Sequence, residues 1–268
     1  MPDLTPFEAI TKIRARYDDI ERLLVLGASQ YEPEPGSDLA TDDLDWPYLR
    51  VSETARNGLV AAVDHLDCYR FLVEQRRLFT SGQLTLVRAA IVGAAQAVWV
   101  LAPADRNVRI ERGRTAAVEW YHQHLLHTKA LLPLPATDGS KAADRISFLT
   151  ERLQELESKR DADSQRSKYQ ATEMIRQAAL ETYRQPGVEG DPECYANEAV
   201  AEWRRTSGVA HGLSWAHLSG VDRDFSDAGD GMAWFTVSAN INDSLNPFLL
   251  ASHLLRFGSK LLTQRSAS

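Results

Sequence analysis

The stretch LTLVRAAIVGAAQAVWVLAP, residues 84–103, is the most apolar part of the chain and the one that decides the fold. Arg88 and Gln96 interrupt the run, and Pro103 ends it. The uninterrupted apolar part is too short to cross a bilayer, because a membrane-spanning helix needs about 20 apolar residues. We therefore predict a helix over 84–101 that is buried inside the protein, and no membrane association.

Helical spacing of apolar residues continues on both sides of this stretch. Apolar side chains recur every three or four residues through most of the chain, which predicts amphipathic helices. The predicted helices cover 7–24, 52–77, 84–101, 104–132, 195–218 and 243–262. Long helices with short connections indicate an all-α antiparallel helical bundle, which we interpret as a single domain of residues 1–268.

Three segments depart from this pattern. Residues 28–46 are rich in Asp, Glu, Pro and Gly and predict a solvated acidic loop. Residues 141–184 are more charged and predict two helices, either a projecting arm or a helix pair in the core. Aromatic and β-branched residues flank a Gly/Asp turn near residues 221–238, which predicts a small β-hairpin.

Composition limits the classes of partner. The 268 residues are 44% apolar, enough for a substantial core, and carry a net charge of −7. An acidic chain is a poor general binder of nucleic acid, so any RNA site must be a local basic patch. Two distant cysteines, Cys68 and Cys194, and a start without a signal-peptide pattern suggest a cytoplasmic protein.

The stretch EWRRTSGVAHGLSW, residues 202–215, contains the candidate site. On a regular helix Arg204 and His211 share a face, separated by about 10 Å along the axis, and Ser207 lies between them. Arg205 points elsewhere. Arg204 and His211 are both placed to reach one extended ligand or a residue on a neighbouring helix.

The same stretch contains Gly208, Ala210 and Gly212, which leave the backbone nearly bare. Each glycine costs a helix about 1 kcal/mol relative to alanine. Their presence indicates that another backbone or a ligand approaches closely here.

The spacing of Arg204 or Arg205 and His211 resembles the Arg-x4–6-His signature of the HEPN superfamily, whose members are helical bundles. The apolar stretch at 84–103, taken with WRRTSGVAHGLSWAH at 203–217, is similar to a group of uncharacterised HEPN-like bacterial proteins. The resemblance spans roughly residues 55–217. The chain departs from active members at Thr206, where Asn, Asp or His often follows the arginine.

The resemblance implies a metal-independent endoribonuclease, or an RNA-binding protein, of a toxin–antitoxin, stress or phage-defence system. His211 would act as general acid or base, since histidine exchanges protons near neutral pH. Arg204 or Arg205 would hold the phosphate, and Ser207 and Arg88 would contact the substrate. A homodimer would bring two motifs together, an antitoxin is a further partner, and we predict neither a metal nor another cofactor.

The alternative is a non-catalytic interaction or ligand-binding module. In that interpretation Arg204 and His211 are structural and pair with carboxylates such as Asp64 or Asp67. Solvent exposure separates the two hypotheses, because a structural pair is buried and an RNA site is open to solvent.

Other charged side chains have competing interpretations. Arg88 is favoured as a buried, paired structural cation over a phosphate contact. Arg106, Arg109 and Arg112 are favoured as an ordinary solvated face over a basic stripe for RNA. His124 and His127 share a helix face, but zinc needs three or four ligands and no third one follows in the sequence.

Overall fold

Helices account for most of the protein, which confirms the all-α prediction. The computed structural model describes residues 4–28, 30–165, 167–218 and 225–268. Within these ranges the helices are α1 Pro6–Arg14, α2 Tyr17–Leu23, α3 Val25–Ala28, α4 Asp38–Asp43, α5 Val51–Glu74, α6 Gly82–Leu101, α7 Arg106–Leu131, α8 Gly139–Ala162, α9 Ala171–Tyr183, α10 Pro192–Ala210 and α11 Ile241–Ser266. The predicted first helix, 7–24, is thus divided into α1 and α2, and α3 follows it.

Helix α6 is the centre of the bundle. It packs against α5, α11, α9 and α10, and most of its apolar residues are fully buried. By length and composition alone α6 could cross a membrane, but 61% of its most apolar window is buried inside the protein. The apolar stretch therefore serves as the core around which the other helices assemble, as the sequence predicts.

Helices α5 and α6 pack backbone against backbone. A Cβ atom added to Gly93 would lie 2.5 Å from the carbonyl oxygen of Gly58, and a Cβ on Gly58 would meet the carbonyl of Gly93. Gly58 also faces Ala97, while Gly93 faces Ala62, so the two helices run antiparallel. Small residues at this crossing allow the two backbones to approach closely.

The predicted hairpin is present. Strand β1, Phe225–Gly229, pairs antiparallel with β2, Met232–Phe235, and Phe225 lies opposite Phe235. Asp230 and Gly231 form the turn between them with positive φ angles. The first part of the predicted segment, 221–224, lies outside the described residues.

The prediction of a solvated loop at 28–46 is wrong for its second part, whereas residues 30–36 form no helix or strand and are mostly exposed. Helix α4 lies within it, capped by Ser37, and Leu39 and Asp42 are fully buried. Asp42 and Asp45 are drawn inward because Arg109 and Arg114 of α7 pair with them there. The pattern of alternating Pro, Gly and acidic residues indicated a loop, but it gave no information about a cationic partner elsewhere in the chain.

The basic segment of α7 neutralises this acidic segment. Arg109 Nε donates to Asp42 Oδ2 over 2.6 Å, with 2% and 0% of the two side chains exposed. Arg114 pairs with Asp45 over 2.8 Å, and Lys159 of α8 also reaches Asp45. Burial opposes the charge of Asp45, yet the hydrogen bonds from Arg114 and Lys159 lower its pKa.

Arg106 is exposed, as a solvated face requires, but neither interpretation holds for Arg109 and Arg112. Arg109 is buried instead of solvated, and its remaining donors bond the carbonyls of Pro103 and Ala104. Arg112 is partly buried and donates to the Trp99 carbonyl and to Gln177. These side chains are committed to protein acceptors and do not form a free basic stripe.

The two helices of 141–184 have different neighbours. Helix α8 packs on α7, whereas α9 packs on α10 and α6. The distal part of the α7–α8 hairpin holds its own small apolar cluster, to which Tyr121, Leu149 and Leu156 contribute. Helix α9 belongs to the main core through Met174 and Ile175, so the segment is neither one arm nor one pair.

Candidate functional site

Helix α10 carries the candidate residues and ends earlier than the sequence predicts. Asp191 caps its start, and Pro192 occupies the first turn, where a missing N–H costs nothing. The helix ends at Ala210, not near residue 218, and His211 is the residue at its C-cap. The candidate histidine therefore lies at the open end of a helix.

Gly212 produces this ending. Its φ of +71° is a conformation that side chains with a Cβ disfavour. The Leu213 N–H donates to the Gly208 carbonyl over 2.9 Å, and the Gly212 N–H donates to the Val209 carbonyl over 3.0 Å. These two bonds form a Schellman motif, in which glycine reverses the chain after the last helical turn.

Gly208 accommodates the chain as it returns. A Cβ on Gly208 would lie 2.7 Å from the Cβ of Ala216 and 2.8 Å from a ring carbon of Trp215. Ala216 is buried against Val209 and against Leu84 of α6. The bare backbone is thus used by the protein itself, through the 3-10 turn Ser214–His217, and not by a ligand.

Ser207 is the point at which α6 and α10 meet at this end. Arg88 of α6 donates from Nε to Ser207 Oγ over 2.7 Å, across 119 positions of sequence. Within the described residues no carboxylate pairs with Arg88, and its two terminal nitrogens have no hydrogen-bond partner. The expectation of a buried, paired Arg88 is therefore wrong: the guanidinium is half-buried and presents two free N–H₂ groups.

Arg204 and His211 flank this contact. Arg204 precedes Ser207 by three residues and His211 follows it by four, so both are its neighbours on the helix surface. Both side chains are exposed, and in the described part of the chain neither forms a hydrogen bond or an ion pair. Arg88 thus meets α10 at Ser207, which lies between Arg204 and His211, two residues about 10 Å apart along the axis.

Arg205 has a different role from its neighbour. Its guanidinium donates to Glu202 over 2.8 Å and to the Asp243 carbonyl over 2.7 Å, and it is partly buried. It therefore ties α10 to the start of α11. Of the two adjacent arginines, Arg204 is the one available to a ligand.

The carboxylates considered as structural partners are occupied elsewhere or point to solvent. Asp67 pairs with Arg70 over 2.7 Å on its own helix, and Asp64 is exposed. The structural alternative requires Arg204 and His211 to be buried and paired, and their exposure does not fit it.

A metal site does not form around the histidines of α7. His124 stacks edge-on against Trp120, and burial lowers its pKa. Across residues 4–28, 30–165, 167–218 and 225–268, no three His, Cys, Asp or Glu side chains are grouped as a metal would require.

The site as assembled consists of two available guanidinium groups, one hydroxyl and one imidazole around the end of α10. Guanidinium groups bind phosphate through paired hydrogen bonds, and imidazole transfers protons. No family model matches this chain, and neither curated proteins nor solved structures yield a match.

Proposed function

We propose that the surface formed by Arg88, Arg204, Ser207 and His211 binds the backbone of single-stranded RNA and cleaves it without a metal ion. The observation that carries the proposal is the Arg88–Ser207 contact, which brings Arg88 to the part of α10 that carries Arg204 and the exposed imidazole of His211. Neither arginine is paired with a carboxylate among the described residues. In a chain with a net charge of −7, uncompensated cations in one place mark a local anion-binding surface.

The reaction needs one base, one acid and a cation. His211 removes the proton of a ribose 2′-hydroxyl, whose oxygen then bonds to the adjacent phosphorus. The bond from phosphorus to the 5′-oxygen breaks, and that oxygen takes a proton from an acid. The products are a 2′,3′-cyclic phosphate and a 5′-hydroxyl, so the balance requires no external reactant.

The guanidinium groups stabilise the charge that develops on the phosphate. Arg88 is oriented by its bond to Ser207 and offers two terminal nitrogens to a phosphate oxygen. Arg204 reaches the same phosphate or the next one along the strand. Charge-assisted hydrogen bonds of this kind are stronger than neutral ones and strengthen as charge accumulates in the transition state.

A homodimer supplies the second proton-transfer group in this proposal. Leu213 and Trp215 follow His211 directly and are 46% and 49% exposed. Apolar side chains at such a position favour contact with another protein surface. A two-fold axis beside them brings together His211 of both copies, one as base and the other as acid.

The proposed cellular setting rests on the resemblance of residues 204–211 to the HEPN signature. An enzyme that cuts single-stranded RNA must be restrained, and a toxin–antitoxin, stress or phage-defence system provides that restraint. We propose a cytoplasmic protein whose site is covered by an antitoxin or another partner protein until RNA cleavage is required.

The experiment uses an end-labelled single-stranded RNA with EDTA present. His211→Ala is expected to lower the rate at least about 100-fold, because a general base contributes that much, while exposed His127→Ala leaves the rate unchanged. Wild-type product carries a 2′,3′-cyclic phosphate. Unchanged cleavage by His211→Ala, or no cleavage by wild type, contradicts the proposal.

The adjacent arginines provide a matched pair. Arg204→Gln is expected to slow cleavage by about tenfold or more without changing the melting temperature. Arg205→Gln is expected to lower the melting temperature, because its bonds to Glu202 and the Asp243 carbonyl are lost. The reverse result would assign the phosphate to Arg205.

A further inference from the structure

A second basic surface lies at the other end of α10. A cleft of about 670 Å³ is bounded by the end of α2, the end of α9 with the segment after it, and one face of α11. The 14 residues lining it include three cationic side chains and no Asp or Glu. A cleft whose lining carries positive charge and no acidic side chain favours an anionic ligand.

Two of these cations stand one helical turn apart on α11. Arg256 and Lys260 are exposed, and in the part of the chain that the structure describes neither has an ion-pair partner. The third, Arg22, is paired with Asp19. Two free charges at i and i+4 face the cleft together.

Tyr183 provides a hydroxyl on the opposite wall of the cleft. The contact with His253 determines the direction in which the Tyr183 hydroxyl proton points. His253 is largely buried, and burial, with Arg16 and Arg256 nearby, lowers its pKa to about 4. The ring is therefore neutral at physiological pH and carries one N–H. Its Nε2 lies 3.4 Å from Arg16 Nη2, and its Nδ1 lies 3.2 Å from the Tyr183 hydroxyl.

Only one assignment of the proton satisfies both contacts. Arginine is a donor and never an acceptor, so His253 Nε2 accepts from Arg16 and Nδ1 carries the hydrogen. Nδ1–H then donates to the Tyr183 oxygen. The Tyr183 proton has no acceptor among the described residues and is left to a ligand in the cleft, and burial raises the pKa of Tyr183 to about 12, which keeps the proton on.

The rest of the lining is apolar. Leu23, Val188 and Phe257 contribute aliphatic and aromatic surface, and Phe257 is nearly buried. A ligand that uses the whole cleft therefore has an apolar body attached to its anionic group. Small-molecule sites have this composition, with apolar walls and a few polar groups that converge.

We propose that this cleft binds a small organic phosphate, with its phosphate between Arg256, Lys260 and the Tyr183 hydroxyl and its apolar body against Phe257. Two cations and a third donor match a tetrahedral dianion better than a singly charged carboxylate. The site is separate from the surface proposed for RNA: Tyr195, whose ring packs at a tilt against that of Tyr183, lies about 18 Å along α10 from Ser207.

Titration calorimetry with phenyl phosphate as the probe tests the proposal. Wild type is expected to bind one equivalent, and Arg256→Gln and Lys260→Gln are each expected to weaken binding about tenfold. Lys129→Gln, an exposed substitution on α7, is the matched control and leaves binding unchanged. Absence of binding by wild type, or wild-type affinity in both α11 variants, overturns the proposal.

Two further probes separate the contributions. Inorganic phosphate and benzoate are each expected to bind at least about fivefold more weakly than phenyl phosphate, because one lacks the apolar body and the other the second charge. Benzoate binding as tightly as phenyl phosphate would overturn the assignment to a phosphate. Inorganic phosphate binding equally well would overturn the role of the apolar wall.

The tautomer of His253 is directly observable. Ring-nitrogen NMR shifts are expected to show hydrogen on Nδ1, and Tyr183→Phe is expected to weaken phenyl phosphate binding about fivefold. Hydrogen on Nε2 would overturn the orientation of the Tyr183 proton. If Tyr183 only supported the fold, Tyr183→Phe would leave phenyl phosphate binding unchanged.

Discussion

His253 shows how a single buried side chain makes stability depend on pH. Its ring lies among Arg16, Arg256 and Tyr183, and burial with the two guanidinium groups opposes a third positive charge. Its pKa of about 4 in the folded protein is below the ordinary value of 6.5 that it regains on unfolding. Between these values the unfolded chain binds more protons than the folded one, so stability falls as pH decreases.

The corresponding prediction concerns His253→Gln. From pH 6.5 down to pH 4, wild type is expected to lose on the order of 2 kcal/mol more unfolding free energy than the variant, after allowance for partial exposure of the ring. Urea denaturation at several pH values measures the difference. Parallel pH profiles for the two proteins would show that His253 is protonated in the folded state.

The neighbours of Arg204 and Arg205 decide which of the two arginines is available to a ligand. Glu202 lies three residues before Arg205, a spacing that allows an ion pair on the same helix face. This pair could be anticipated from the sequence, and it removes Arg205 from the candidates. The Arg88–Ser207 bond could not be anticipated, because 119 positions separate the partners and only the packing of α6 on α10 brings them together.

At the scale of elements, close helix contacts depend on glycine. The crossing of α5 and α6 allows no Cβ at Gly58 or Gly93, although both glycines cost helix propensity. Because α6 touches five other helices, a displacement at this crossing is transmitted to much of the core.

Gly93→Ala is therefore expected to lower the free energy of unfolding by about 2 kcal/mol, because the added methyl group meets the Gly58 carbonyl. The matched control is Gly27→Ala, whose new Cβ would meet only Val60 at 3.6 Å and is expected to be neutral or slightly stabilising. Chemical denaturation compares the two. Equal stability of both variants would mean that α5 and α6 separate without cost.

The sequence predicted α10 correctly as a helix, but it did not predict where the helix ends. The periodicity continues beyond Ala210, so the sequence favoured a helix to residue 218. A glycine at 212 signals either a ligand contact or a helix end, and the Schellman bonds identify it as a helix end. Periodicity describes which face is apolar and says little about where a chain reverses.

For the whole molecule, the principal long-range feature is the neutralisation of the acidic segment at 28–46 by α7. Asp42 and Arg109 are fully buried, and removal of Arg109 leaves Asp42 with only the 3.3 Å contact to Arg106, whose side chain is exposed. The network also holds the α7–α8 hairpin, through Arg114, Asp45 and Lys159.

Arg109→Met is accordingly expected to lower the free energy of unfolding by about 3 kcal/mol, because buried Asp42 loses the two hydrogen bonds from Arg109 and the Ala104 carbonyl loses its donor. Adding Asp42→Leu to that variant is expected to recover part of the loss. Lys129→Met, which is exposed, is the control. Thermal and urea unfolding measure all three, and an Arg109→Met protein as stable as wild type would show that the pair is dispensable.

The sequence by itself determined the helical class, the buried position of 84–101, the hairpin and the set of residues from which the candidate site is built. These follow from periodicity and turn residues, whose effects extend over only a few positions. Tertiary structure alone decided that Asp42 is buried against Arg109 of α7, that Arg88 meets Ser207, and that Arg256, Lys260 and Tyr183 share a cleft. Each of these depends on which helix faces come together, and a one-dimensional pattern does not specify the distance between residues far apart in the chain.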